Sequence, residues 1–126
     1  MSTIQITQAN FESTLEKNDI VLLDFWASWC GPCRTFGPIF EKVAEKHPNI
    51  AFGKVDTEAE QQLAAAFQVR SIPTLMVFRN GVLLFSQAGV LPEAALEDLI
   101  GQIKALDMNK IMNEIAASES KAAQAQ

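Results

Sequence analysis

Cysteine is scarce in this chain: 126 residues hold two, and there is a single histidine, His47. Tetrahedral zinc takes four Cys or His ligands, so a complete site would need ligands from another subunit. Long apolar runs are missing too. Stretches such as Val82-Leu83-Leu84-Phe85 are far too short to span a bilayer, and no membrane association is expected. Met1 to Asp19 has no basic start and no apolar stretch of signal-peptide length. The expected compartment is therefore the cytoplasm, where thiols are kept reduced. Acidic residues outnumber basic ones, 15 to 10, for a net charge of −5. That balance argues against a nucleic-acid partner and reads first as a solvated surface. No glycine-rich nucleotide fingerprint, no repeat and no internal domain boundary is visible. What remains is an ordinary globular composition, 48% apolar and 20% charged. A chain of this length can bury roughly two-thirds of its unfolded surface.

The two cysteines stand almost together, in Trp29-Cys30-Gly31-Pro32-Cys33. A pair that close can form an internal disulfide and release it again. In a reducing compartment a structural staple would be unusual, so the pair reads as a redox centre.

Its setting supports that reading. Ile20 to Trp26 is apolar on both alternating faces, the pattern of a central strand covered on both sides. Residues 31 to 47 carry Phe36, Phe40 and Val43 at helical spacing, with Pro38 inside and a kink expected near 34 to 38. Ile4 and Ile6 suggest a short first strand, and Thr7 a cap for a helix bearing Phe11 and Leu15. Ile50 to Asp56 reads as a strand and Glu58 to Phe67 as a helix. Thr74 to Arg79 and Val82 to Ala88 read as strands joined by Asn80-Gly81, a hairpin signal because both turn positions need positive φ. Pro92 opens a helix striped by Leu96, Leu99, Ile100 and Ile103. The order implies an α/β fold, a mixed sheet with helices on both faces.

The helix register separates the cysteines. Cys33 shares a face with Phe36 or Gly37 and with Phe40, and so points toward packing. Cys30 lies at the helix end, where free N–H groups and the macrodipole stabilise an anion. Cys30 is thus the expected nucleophile and Cys33 the resolving thiol. A buried neutral thiol must first lose its proton. Asp24 interrupts an otherwise apolar strand, and burial would raise its pKa until it could accept and return that proton. Lys54, on the neighbouring strand, would temper the burial. On its own, Lys54 reads as a solvated strand lysine. Trp26 reads as core, and His47 as a helix C-terminal residue.

Val21-Leu22-Leu23-Asp24-Phe25-Trp26-Ala27-Ser28-Trp29-Cys30-Gly31-Pro32-Cys33-Arg34 resembles the active-site segment of thioredoxins. Ser71-Ile72-Pro73-Thr74 resembles that family's proline loop, and Phe78-Arg79-Asn80-Gly81 and Gly89 match in order and spacing. The resemblance covers roughly residues 3 to 103. It implies the thioredoxin fold, a central mixed β-sheet flanked by four helices, and a cis peptide before Pro73. It also implies a shallow apolar docking patch of Trp29, Ile72, Pro73, Gly89 and Val90, with Gly31 and Pro32 beside it. Backbone at Ile72 would pair with an extended substrate. The implied activity is protein-disulfide reduction with no bound cofactor. Electrons would come from NADPH through thioredoxin reductase, and disulfide-containing proteins would be the substrates.

Two features depart from the family pattern. Lys54 to Glu60 and Ala65 to Thr74 resemble the bacterial subgroup that carries an N-terminal zinc ribbon, yet no cysteine precedes Cys30. The chain also runs past the expected end of the domain. Residues 1–105 are expected to form the thioredoxin domain, and 106–126 a helical extension with a polar tail. Leu106, Ile111 and Ile115 allow the last helix to continue, while Ser118 to Gln126 is expected to be disordered. A monomer is expected, with the extension as a candidate docking or dimerising element. An oxidase or isomerase on the same fold, or a binding or chaperone-like module using the apolar patch and the tail, are the alternatives to a reductase. Gly31-Pro32 resembles the reducing members.

Overall fold

A computed structural model describes residues 2–124. In chain order its elements are β1 (Thr3–Gln5), α1 (Phe11–Lys17), β2 (Ile20–Trp26), α2 (Gly31–Lys46) and β3 (Ala51–Asp56). There follow α3 (Gln61–Ala66), β4 (Thr74–Arg79), β5 (Val82–Ala88), α4 (Glu93–Ala105) and α5 (Met108–Gln124). The strands form one mixed sheet in the order β1-β3-β2-β4-β5. β1 and β2 flank β3 in parallel, while β4 runs antiparallel to both β2 and β5.

The two-sided apolar pattern of β2 has its expected consequence. Leu22 joins Phe36, Phe40, Val43, Phe52, Leu96 and Ile100 in a core under α2 and α4. Val21, Leu23 and Phe25 face the opposite way, toward Ile6, Val55, Leu63, Phe11 and Phe67, under α1 and α3. Alternation then puts Asp24 on the α2 side, fully buried. The Asn80-Gly81 turn takes positive φ at both residues, 53° and 75°, as the hairpin signal requires.

Five local expectations are revised. Thr7 is not the cap of α1. The Asn10 side chain accepts from the Thr7 N–H at 2.8 Å and donates to the Gln5 carbonyl at 2.9 Å, and the helix begins after Asn10. Of the two β1 isoleucines, Ile6 is buried beyond the strand end and Ile4 is exposed. The helix expected from Glu58 starts at Gln61, because the Asp56 carboxylate takes the Glu58 and Ala59 amides and forms a turn first.

The C-terminal helix is likewise not a continuation of α4. Arg79 Nη1 donates to the carbonyls of Ile103, Lys104 and Leu106 at 2.8, 3.3 and 3.2 Å, and Leu106 is extended. Asp107 then caps a new helix, its Oδ1 accepting from the Lys110 N–H at 3.1 Å. That helix runs through Ser118 to Gln124, in place of the disorder expected of a polar tail, and residues 125–126 lie outside the described residues. Only Met108 is buried on it.

Candidate active site

The active-site helix begins where β2 and a short loop deliver Cys30 to the N-cap of α2, with Pro32 in the first turn. Proline lacks an N–H, and the first helical turn needs none. The Cys33 amide, itself one of the unpaired first-turn N–H groups, donates to Cys30 Sγ at 3.2 Å. The two sulfurs form a disulfide, with Cα atoms 5.3 Å apart. Both cysteines are nearly fully covered, Cys30 at 4% and Cys33 at 6% exposure. The asymmetry expected between them lies in helix position and not in residue burial.

Cover comes from Ala27, Trp26 and Ile72. The Ile72-Pro73 peptide is cis, as the family resemblance implied. The Ile72 carbonyl oxygen lies 3.6 Å from Cys30 Sγ. The Gly89 N–H donates to the Pro73 carbonyl at 2.8 Å and ties the end of β5 to this loop. Gly89 takes φ 101°, a left-handed conformation that favours glycine. Around this rim Trp29, Gly31, Pro32, Gly89 and Val90 are exposed, Ile72 is half-buried and Pro73 is buried. Trp29, at 65% exposure, is the most open large apolar side chain among the described residues.

Behind the cysteines lies Asp24. Burial pushes its carboxyl up from 3.8 to about 6, against the opposing pull of Lys54. The two are register partners across β2 and β3, with Lys54 Nζ 3.9 Å from Asp24 Oδ2. Neither Asp24 oxygen accepts a hydrogen bond from the described residues. Lys54 reaches this position along the Trp26 ring, its ammonium 5.3 Å from the ring centroid. It is neither a free strand lysine nor fully buried.

Two groups at the site were not singled out from sequence. Glu58 accepts from the Trp29 indole N–H and holds the exposed ring. The Trp26–Asp56 register could have pointed to it, since Glu58 follows that pair by two residues. The second is a groove of about 540 Å³ lined by Cys33, Arg34, Gly37, Pro38, Glu41, Lys54 and the Trp26-Ala27-Ser28 segment. Arg34, Gly37 or Pro38, and Glu41 recur at helical spacing on one face of α2. No cluster of three or more Cys, His, Asp or Glu able to hold a metal occurs among the described residues.

This geometry coincides with a known family. The Thioredoxin family model matches residues 2–102. A putative thioredoxin 2 of Streptomyces coelicolor is 53% identical over 121 residues, spanning 96% of this chain and 90% of its own. The thioredoxin of Haemophilus influenzae is 40% identical over 101 residues, covering 79% of this chain and 94% of its own. Among solved structures, a mutant thioredoxin from Halobacterium salinarum superposes with a TM-score of 0.77 at 37% identity. That match covers 83% of this chain and 93% of the other.

The chain belongs to the thioredoxin family, and its fold is the α/β thioredoxin fold. It is a thiol–disulfide oxidoreductase that reduces protein disulfides by dithiol–disulfide exchange at Cys30 and Cys33. Thioredoxins need no bound cofactor, and they generally work with thioredoxin reductase and disulfide-bearing proteins. No helix among the described residues is long and apolar enough to cross a membrane.

Proposed function

We propose that Cys30 is the attacking thiolate, Cys33 the resolving thiol, and Asp24 the group that moves the Cys33 proton. The observation that carries this reading is Cys30 at the N-cap of α2, its sulfur accepting the Cys33 amide. A helix N-terminus and a directed N–H both favour an anion there. In the reduced protein, Cys30 S⁻ attacks one sulfur of a substrate disulfide and expels the other as a thiolate. The Cys33 proton passes to Asp24. Cys33 S⁻ then attacks Cys30 Sγ, closes the internal disulfide and releases the second substrate thiolate. Asp24 suits this role because its carboxyl, at about 6, lies near neutral pH and below the usual thiol range. Lys54 is a positioning residue for Asp24.

Substrate docks on the patch of Trp29, Gly31, Pro32, Ile72, Pro73, Gly89 and Val90, its backbone running beside Ile72. Reducing equivalents come from NADPH through thioredoxin reductase, and the protein works in the cytoplasm as a monomer. Residues 1–105 are the thioredoxin domain and 106–126 an appended extension. The Streptomyces relative aligns with 96% of the chain, and the Haemophilus one with 79%. That contrast supports an extension shared by a subset of the family.

The test is NADPH oxidation coupled through thioredoxin reductase to insulin reduction, together with the equilibrium potential of the pair. Turnover and a potential near the roughly −270 mV of thioredoxin are expected. A potential between about −180 and −120 mV would instead assign an oxidase or isomerase.

A further inference from the structure

The groove beside Cys33 contains a carboxylate that the exchange mechanism does not use. Glu41 sits on the α2 face that forms one wall, and its Oε1 is buried without a hydrogen-bond partner among the described residues. Lys54 of β3 lines the same groove. The Lys54 side chain is 28% exposed and that of Asp24 only 1%, so the lysine is the outward end of the buried pair. Lys54 lies close against α2: a Cβ added at Gly37 would lie 3.5 Å from Lys54 Nζ, an ordinary van der Waals contact.

Four charged groups on the packed elements pair with Lys54 or share a groove lining with it. Asp24 on β2 is the inner one. Asp56, two residues along β3, is committed to the Glu58 and Ala59 amides at 3.0 and 3.4 Å. Arg34 on α2 donates to the Ser28 carbonyl at 3.1 Å. Besides the two Asp24 oxygens, Glu41 Oε1 is the one carboxylate oxygen of this set that is buried with no hydrogen-bond partner among the described residues.

We propose that Glu41 is a positioning residue for the resolving step, competing with Asp24 for the Lys54 ammonium across the groove. When Asp24 holds the Cys33 proton and is neutral, Lys54 swings outward to Glu41. When Asp24 is ionised, the ammonium returns to it. The groove thereby carries the charge rearrangement that accompanies each proton transfer, and Glu41 sets how strongly Lys54 opposes protonation of Asp24. This rests on Asp24 as the proton-moving group.

The experiment follows the Asp24 carboxyl by ¹³C NMR in the reduced protein, with the pH profile of insulin reduction in parallel. Wild type is compared with Glu41→Gln, Lys54→Met and the double variant, each checked for a native melting transition. Glu41→Gln leaves Lys54 to Asp24 alone, so the Asp24 inflection should fall by roughly half a pH unit, with the activity profile moving the same way. In the Lys54→Met background, the same Glu41 change should move it by less than half as much. An unmoved inflection in Glu41→Gln overturns the proposal. So does a full shift that survives without Lys54, since Glu41 would then act by its field alone. Asp24→Asn separates the two readings: if the activity inflection persists there, Asp24 is not the proton-moving group. If Asp24→Asn abolishes it while Glu41→Gln leaves it unmoved, only the role of Glu41 fails.

Discussion

Asp24 on β2 and Lys54 on β3 pair directly across the parallel ladder, and their charged ends meet at 3.9 Å beneath α2. The attraction does not offset the burial. Asp24 remains raised to about 6 because desolvation outweighs the lysine, and neither carboxylate oxygen accepts a hydrogen bond from the described residues. A buried acid this poorly compensated costs stability, which is consistent with a group retained for chemistry.

Asp24→Asn should therefore stabilise the fold at neutral pH. The folded carboxyl titrates near 6 and its ordinary value is 3.8, so the unfolded chain ionises first as pH rises. Stability falls through that window and the full cost is present above it. A gain of about 1–3 kcal/mol is expected at pH 8, nearly vanishing by about pH 3, where both states are protonated. Urea unfolding at the two pH values checks this. An equal gain at both would mean that the amide acts through packing alone.

The assigned roles of the cysteines make opposite predictions for their serine variants. Cys33→Ser can still attack through Cys30 but cannot resolve, so partners should accumulate as covalent adducts that dithiothreitol releases. Cys30→Ser should lose disulfide reduction and form no adducts of that kind. Non-reducing gels of each variant, incubated with a disulfide-bonded peptide, decide the assignment. Adducts on Cys30→Ser alone would reverse the roles.

Gly53, buried in β3, is held by space. A Cβ there would meet Ile6 Cγ1 at 2.4 Å and Leu23 Cδ2 at 2.9 Å. Gly53→Ala should destabilise the protein by about 1–3 kcal/mol through overpacking. The change lies on the face opposite Asp24, so the pH profile of the folded variant should match wild type. A shifted midpoint in urea with an unchanged slope would confirm a native-state clash.

The central strand, the hairpin and the cysteine pair were legible in the sequence because local rules decide them. Two-sided apolarity marks β2, Asn80-Gly81 marks the turn, and a helix follows Cys30-Gly31-Pro32-Cys33. The burial of Asp24 was legible for the same reason, as one polar residue in an apolar strand. The break between α4 and α5 depends on Arg79, which arrives from β4 to take the last α4 carbonyls. No helical periodicity could announce that contact, although Asp107 is a good N-cap and was available as a local sign. The Glu41 wall escaped because Arg34, Gly37 and Glu41 look like an ordinary polar helix face until β3 brings Lys54 into the same groove. The bond from Trp29 to Glu58 likewise joins segments that only the sheet brings together.

Trp29 gives the cleanest separation of docking from chemistry. Its ring is 65% exposed, so truncation removes little core packing. Interfaces concentrate their energy in aromatic anchors, where losing a Trp costs upward of about 2 kcal/mol. Trp29→Ala should thus raise KM for a protein disulfide by about tenfold or more, with unfolding stability within about 0.5 kcal/mol of wild type. Reduction of a small disulfide that cannot span the patch should be much less affected. Trp29→Phe distinguishes ring area from ring orientation, since phenylalanine has no indole N–H to offer Glu58. Recovery of most affinity in Trp29→Phe would assign the effect to apolar area. If Trp29→Phe behaves like Trp29→Ala, the Glu58 bond is what presents the ring. Equal losses on protein and small-molecule disulfides would place Trp29 in the chemical step and remove it from the docking patch.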